Sequence, residues 1–588
     1  MANSWRRLPL APSLLLLAAA LAIFWLSFRA PVSKANSDPR LSLLVSLAII
    51  EQGSVRLDAY EFSSQPPLSD PDNARVLVRR DGHIYYAFPL GTSLAAVPPV
   101  WLARLSGRDL TIVAEQNRIQ NGLAAISTAL IFWLIYQLGR NYLPWQQSYG
   151  LALLLTLGSM VASTLATALW SHHLTAAAML LALLLLTGQE ERRWRLPAWP
   201  VGLSLGGLLF IAYLARPAAV VFIVLLLGYL LWRQRALFWP ALIMAGALFG
   251  LFLLWSQHEF GTPFPFYYRP ERLAAGSGTG LLAALYGQLL SPSRGLFVFV
   301  PYLLLLPWGT GRLPVHQRPW LWLVLAWGLG QLLLNQLAAP WWGGWSYGPR
   351  LLLDWWPGLV LLVFLLWPRL SGGRTGHYRV ALFAVLGLVA IWIHSYQGLF
   401  NVQTGRWNGA IPPNIDEHPE IAFSWRYPQI GTSAAALCER NEAFVWERIA
   451  TIAPVTGALH QPVTAPTALY PGWSDVADDW RWSECERSSL LFNLGMQPSG
   501  DYVLLLETRW LGVTEFDISL NEEPVTSLTL PGATGTTTLQ VLLPGELMQA
   551  GLNELTFHVP GAGTPDTRPP YRLGLGLASW SLSPPTSR

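Results

Sequence analysis

Asp38 stands in the string Asn36-Ser37-Asp38-Pro39-Arg40, a few residues beyond a long uncharged run that ends at Phe28. A lone carboxylate just outside a membrane can take a proton from a hydroxyl and so serve as a general base. Ser and Asp followed by Pro also suit the start of a helix, and the string LSLLVSLAIIEQGS behind them reads as a short helix lying on the membrane. A helix cap is therefore the competing reading of Asp38. Asp58, Asp70, Asp72 and Asp81 follow in the same loop, and Asp70 with Asp72 forms an acid-x-acid pair of a kind that can bind a divalent metal.

Further along, His172 and His173 sit side by side in LWSHHL. Adjacent residues of a helix point in different directions, so one imidazole can face a cavity while the other faces water at a solvated tip. Three arginines stand in turns: Arg216 in LARPAA, Arg294 in SPSRGLF and Arg350 in WSYGPR. Arginine presents a planar fork of donors that matches phosphate oxygens, whether those belong to a substrate or to lipid headgroups. Close to Arg350, PWWGGWSYG carries Trp342, Trp345 and Tyr347, and the later segment carries Trp473, Trp480 and Trp482. Such residues either stack on sugar rings or anchor a membrane interface.

What positions these groups is a set of apolar runs. The chain of 588 residues is 52% apolar and 12% charged, about half the charge of a soluble domain. Runs at 8–28, 118–140, 147–169, 173–188, 198–215, 218–232, 237–257, 295–311, 319–339, 351–367 and 379–398 predict about eleven spans. Arg6 and Arg7 precede the first, and Arg140, Arg192, Arg193, Arg195, Arg233, Arg235, Arg312, Arg318, Arg369, Arg374 and Arg379 fall in every second loop. By the positive-inside bias those loops and the N-terminus are cytoplasmic. Arg29–Asn117, LWSHHL, the Arg216-Pro217 turn, segment 258–294 and the WWGGW loop then lie outside, as does everything after about residue 399. The string YYAFPLGTSLAAVPPVWLARL is predicted to lie along the surface, since Pro89, Pro98 and Pro99 oppose a straight span. The net charge of +4 gives no case for nucleic acid.

Past residue 400 the pattern changes. Short alternating runs such as DYVLLLETRW, EFDISLNEEPV and TTLQVLLPGEL, parted by Gly, Pro and Asn turns, predict a β-sandwich. The expected organisation is a membrane domain over 1–400 with 29–117 as its first outer loop, a Pro- and Trp-rich connecting segment over 401–480, and a sandwich over 481–588. Both cysteines, Cys438 and Cys485, lie in this outer part, where a disulfide between them is expected.

In order along the chain, NSDPR, YYAFPLGTSLAAVPP, EQNRIQNGLAA with Arg118, LWSHHL, RPAA, LLSPSRGLFVFVPYLLL and WWGGWSYGPRLLLDWWP resemble the GT-C superfamily of polyprenyl-phosphate-sugar-dependent glycosyltransferases, of the protein mannosyltransferase and aminoarabinose-transferase type. The resemblance covers about residues 8–400. It implies that Asp38 is the base that deprotonates an acceptor hydroxyl, with inversion at the sugar. It also implies that Arg216, Arg294 and Arg350 attend the lipid phosphate at the outer face of the cell membrane. In this sequence Pro39-Arg40 follows the acid, where family members often carry a second acid or an aromatic. Apart from Asp38 the spans offer almost no competing acid, and a divalent metal remains an open expectation. Two rival readings stand beside this one: a transporter or flippase for a lipid-linked substrate, and a non-catalytic envelope protein whose sandwich binds polysaccharide.

Overall fold

The computed structural model describes residues 10–583 except 192, 194–195, 270, 272–275, 277, 312, 456–458, 465–467, 475, 477–478 and 563–573. Arg6, Arg7, Arg192, Arg195 and Arg312, used above for orientation, and the side chain of Asp72 lie outside the described residues. The chain divides into two compact units, Met1–Asn401 and Val402–Arg588.

In the first unit seven described helices are long and apolar enough to cross a membrane: Pro12–Arg29, Val113–Gly139, Ser171–Glu190, Ala198–Ala215, Arg235–Phe260, Arg318–Ala338 and Gly376–Gln397. Trp145–Leu157 and Met160–Thr167, bent by 44° at their junction, make an eighth if taken together. Ser159 caps the second piece of that pair, its hydroxyl accepting the Val161 amide at 3.2 Å. The other expected runs are short or interrupted. Pro217–Arg233 and Trp356–Leu370 are shorter apolar helices. Run 295–311 is divided into Leu296–Phe299, Pro301–Leu305 and Pro307–Thr310, because Pro301 and Pro307 lack the amide donor that a continuous helix needs.

Backbone and side-chain bonds gather the helix termini into two groups. At one end the Lys34 amide donates to Thr167 (2.8 Å), the Val32 amide to Leu399 (3.1 Å), and Arg56 pairs with Glu259 (3.0 Å). At the other, Glu190 accepts hydrogen bonds from Tyr229 (2.6 Å) and the Trp320 indole (2.8 Å), tying three helices together.

The short helix behind Asp38, expected to lie on the membrane, is packed within the first unit. Residues Ser42 to Ala48 of the helix Ser42–Gln52 are buried, as suits a helix apolar on all sides. Its Ser46 hydroxyl donates to the Ser93 carbonyl at 2.7 Å, pinning it to the helix Gly91–Leu105. Both Pro98 and Pro99 lie inside that second helix, which at 15 residues is too short to span. Between the two helices, strands Leu77–Arg80 and His83–Tyr86 pair antiparallel around Asp81-Gly82. Both turn residues have positive φ, the requirement of a tight hairpin turn.

The second unit is a two-sheet β-sandwich with helices ahead of it. One sheet runs Glu523–Thr529, Glu515–Leu520, Gly551–His558, Arg487–Leu494 and Pro454–Val455, with Ala468–Leu469 also on Arg487–Leu494. The other runs Thr534–Leu543, Tyr502–Leu511, Gly574–Ser583 and Leu459–Pro462, with Arg481–Trp482 also on Gly574–Ser583. Phe492, Ile518, Leu555 and Phe557 from the first meet Leu504, Leu506, Leu575 and Trp580 from the second in one core. Segment 401–480 is thus more than a connector, since it supplies strands and the helix Ala434–Trp446. Trp473 is wholly buried in the sandwich core, whereas Trp480 and Trp482 are half-buried over the floor made by Gly576. Cys438 and Cys485 are joined as a disulfide between the helix and the start of a strand.

Candidate functional site

Asp38 does not cap the helix that follows it. The cap position is Leu41, held at φ 67° with no side-chain hydrogen bond, a backbone region that a branched residue enters only under strain. The Asp38 carboxylate instead accepts a hydrogen bond from Arg350 Nη1 at 3.2 Å, and its backbone carbonyl accepts one from the buried Tyr86 hydroxyl. Its side chain is 44% exposed against 15% for Arg350, so one face of the carboxylate is open to an incoming group.

Arg350 owes its place to glycine. Gly348 has φ 62°, and a Cβ there would meet the Phe299 ring at 2.7 Å, so only glycine carries the chain through this turn. The guanidinium then lies over the Trp170 ring at 4.6 Å, a favourable cation–π geometry. Its Nη2 donates to the Gly343 carbonyl at 3.0 Å.

A second cluster adjoins the first. Arg216 ends the helix Ala198–Ala215 in an extended conformation, because the residue before a proline is steered out of the helical region. Its Nε donates to Asp354 at 2.6 Å, and the other Asp354 oxygen lies 3.0 Å from His172 Nδ1. Asp354 is 1% exposed and His172 2%. A carboxylate so deeply buried stays tolerable only with such partners. Asp38, Tyr86, Trp170, His172, Arg216 and Tyr267 line one cleft, which unites residues from five separated stretches of sequence.

The other candidate residues are placed differently. His173 is buried rather than at a solvated tip, with Nδ1 3.2 Å from the Trp170 carbonyl and Nε2 3.4 Å from Thr128. Arg294 is 2% exposed and donates to the carbonyls of Trp342 (2.7 Å), Ser293 (2.8 Å) and Gly344 (3.3 Å). Trp342 is buried, and the buried Tyr347 donates its hydroxyl to Ile393 at 2.9 Å, while Trp345 is 45% exposed. Arg118 pairs with Glu115 at 2.7 Å and is not among the cleft residues. Among the described residues no three His, Cys, Asp or Glu side chains converge as a metal site, so Asp70 has no ready set of co-ligands there.

Two groups were not singled out from sequence. Asp354 stood inside LLLDWWP, within a run taken as a span with almost no competing acid. An acid in an apolar run is itself a functional signal, and this one anchors both Arg216 and His172. Lys34 opens the stretch that contains Asp38, yet no local pattern marks it; in the fold its amide donates to the Thr167 carbonyl at 2.8 Å, and burial together with the charges of Arg350 and Arg294 lowers its pKa.

No family model matches the sequence and no curated protein matches it. Solved structures do match. One is ArnT from Cupriavidus metallidurans bound to undecaprenyl phosphate, at 15% identity and TM-score 0.39, covering 67% of this chain and 70% of that one. Another is the C-terminal CBM6 of LamC, a laminarinase from Zobellia galactanivorans, at 12% identity and TM-score 0.16, covering 22% of this chain and all of that one. At these scores neither superposition fixes an activity.

Proposed function

We propose that the chain is an integral-membrane glycosyltransferase that moves a sugar from a polyprenyl-phosphate donor to an acceptor hydroxyl at the extracytoplasmic face of the cell membrane. The observation that carries the reading is Asp38: an accessible carboxylate, free of capping duty, held by Arg350 at the edge of a cleft that also contains Arg216 and His172. The ordered motifs that resemble the polyprenyl-phosphate-sugar-dependent enzymes supply the reaction class.

In this reading the acceptor oxygen attacks the sugar C1 from the face opposite the phosphate, and Asp38 takes the hydroxyl proton. The C1–O bond to phosphate breaks, the configuration inverts, and polyprenyl phosphate departs. Arg350 and Arg216 stabilise the negative charge that grows on the departing phosphate, the electrostatic contribution that is usually largest. Asp354 and His172 act through Arg216 as positioning residues, and Arg294 braces the loop that carries Arg350. Trp345 offers an exposed indole face on which a sugar can stack.

The test is transfer by purified full-length protein in detergent with a polyprenyl-phosphate-linked sugar donor. Asp38→Asn is expected to abolish transfer while leaving the thermal unfolding curve unchanged. Near-normal transfer by that variant removes the assignment.

A further inference from the structure

Three helices begin at the cleft that holds Asp38: Ser42–Gln52, Gly91–Leu105 and Ser171–Glu190. Ser42, Thr92 and Ser171, each in the first turn of its helix, line that cleft. None of the three helices has a side-chain cap. Ser42 is 1% exposed and Thr92 7%, and the hydroxyl oxygens of both are buried with no hydrogen-bond partner among the described residues. The Ser46 hydroxyl, one turn on from Ser42, donates at 2.7 Å to the carbonyl of Ser93, next to Thr92, and so holds the two helix starts together. A buried hydroxyl without a partner is costly, and a ligand that supplies one removes the cost.

The charged groups of the cleft are spent on one another. Asp38 accepts from Arg350, and Asp354 binds both Arg216 and His172. Asp38 is the only acid among the described residues that line the cleft. A ligand ammonium there meets the positive ends of three helices, and it engages Asp38 in place of the acceptor hydroxyl. A ligand carboxylate competes with the departing phosphate for Arg216. Hydroxyls both donate and accept, so Ser42 and Thr92 match the hydroxyls of a sugar with no charge added.

We propose that Ser42 and Thr92 bind hydroxyls of the transferred sugar, and that this sugar is neutral, neither an amino sugar nor a uronic acid. The inference deepens the reading above and rests on it, since it names the sugar class that the same cleft accepts.

The experiment is isothermal titration of the purified full-length protein in detergent micelles with undecaprenyl phosphate, bare or carrying glucose, mannose, galactose, aminoarabinose or galacturonic acid. A neutral hexose is expected to give the tightest binding, at least about tenfold tighter than the bare lipid. Ser42→Ala and Thr92→Val are each expected to weaken that sugar-bearing lipid by about tenfold and to leave the affinity for the bare lipid unchanged. A folding defect weakens both lipids, so the bare lipid separates loss of a sugar contact from loss of the fold. Tightest binding by the aminoarabinose or galacturonic acid lipid overturns the neutral-sugar assignment and leaves the donor reading standing. So does a series in which no sugar adds affinity to the bare lipid. Variants that weaken both lipids equally, or neither, overturn the roles of Ser42 and Thr92. Failure of wild type to bind any of these lipids overturns the donor reading itself.

Discussion

Asp38 and Arg350 are 312 residues apart in sequence and 3.2 Å apart in the fold. Two independent constraints create the pair. On one side the chain leaves its first helix and turns at Leu41, which frees Asp38 from the helix behind it. On the other, Gly348 admits a turn that no larger residue allows. In the proposed reaction these two residues are the base and the phosphate-binding cation, so loss of either is expected to act on the same step.

Replacing Arg350 tests that link. Arg350→Lys keeps one positive charge and gives up the fork that reaches Asp38 and the Gly343 carbonyl together. Transfer is expected to fall by about tenfold to a hundredfold, the equivalent of one charge-assisted hydrogen bond. Arg350→Met, which also removes the charge, is expected to fall further. Initial rates of both variants at saturating donor check the order.

Asp354 makes a contrast with Asp38. Asp354→Asn leaves Arg216 buried beside a neutral amide and disturbs His172 as well. Removing one partner of a buried pair costs ~3–5 kcal/mol, so this variant is expected to lose thermal stability together with transfer. Asp38→Asn is expected to lose transfer alone. Unfolding curves of the two variants in the same detergent distinguish a positioning carboxylate from a reacting one.

Much of this site was legible as residue types at the ends of apolar runs: Asp38, His172, Arg216 and Arg350 each stand where a run begins or ends. What sequence could not supply was pairing across hundreds of residues. Arg294 reads like Arg350 in sequence, yet the loop with Gly343 and Gly344 at positive φ turns its carbonyls onto Arg294 and occupies its donors. Trp342, Trp345 and Tyr347 share one aromatic string and separate into two buried rings and one exposed ring. The surface helix expected after Asp38 is interior because Gly91–Leu105 covers it, a partner that hydrophobic periodicity alone does not reveal. In the second unit, strands were readable from alternation after residue 481, but the short pieces before it pair over only two to four residues and carry too little pattern.

Gly348 offers a mechanical test of the same turn. Gly348→Ala places a Cβ 2.7 Å from the Phe299 ring and asks a non-glycine residue to hold φ 62°. Overpacking of this kind costs about 1–3 kcal/mol. The expected result is a lower unfolding temperature with a larger proportional loss of transfer, because the strain falls directly on Arg350. Phe299→Leu in the same background, which relieves the contact without touching φ, is expected to recover part of the stability.

The disulfide between Cys438 and Cys485 closes a loop across 47 residues of the second unit. Cross-links of that kind stabilise by about 2–4 kcal/mol, chiefly by restricting the unfolded chain. The double replacement Cys438→Ser with Cys485→Ser is therefore expected to make the second unit unfold and become protease-sensitive at a lower temperature. Asp38 and Arg350 belong to the other unit, so binding of undecaprenyl phosphate at a temperature below that transition is expected to be unchanged. Limited proteolysis across a temperature series, with lipid titration on the same sample, checks both halves of the expectation. Loss of lipid binding before the second unit unfolds would contradict it.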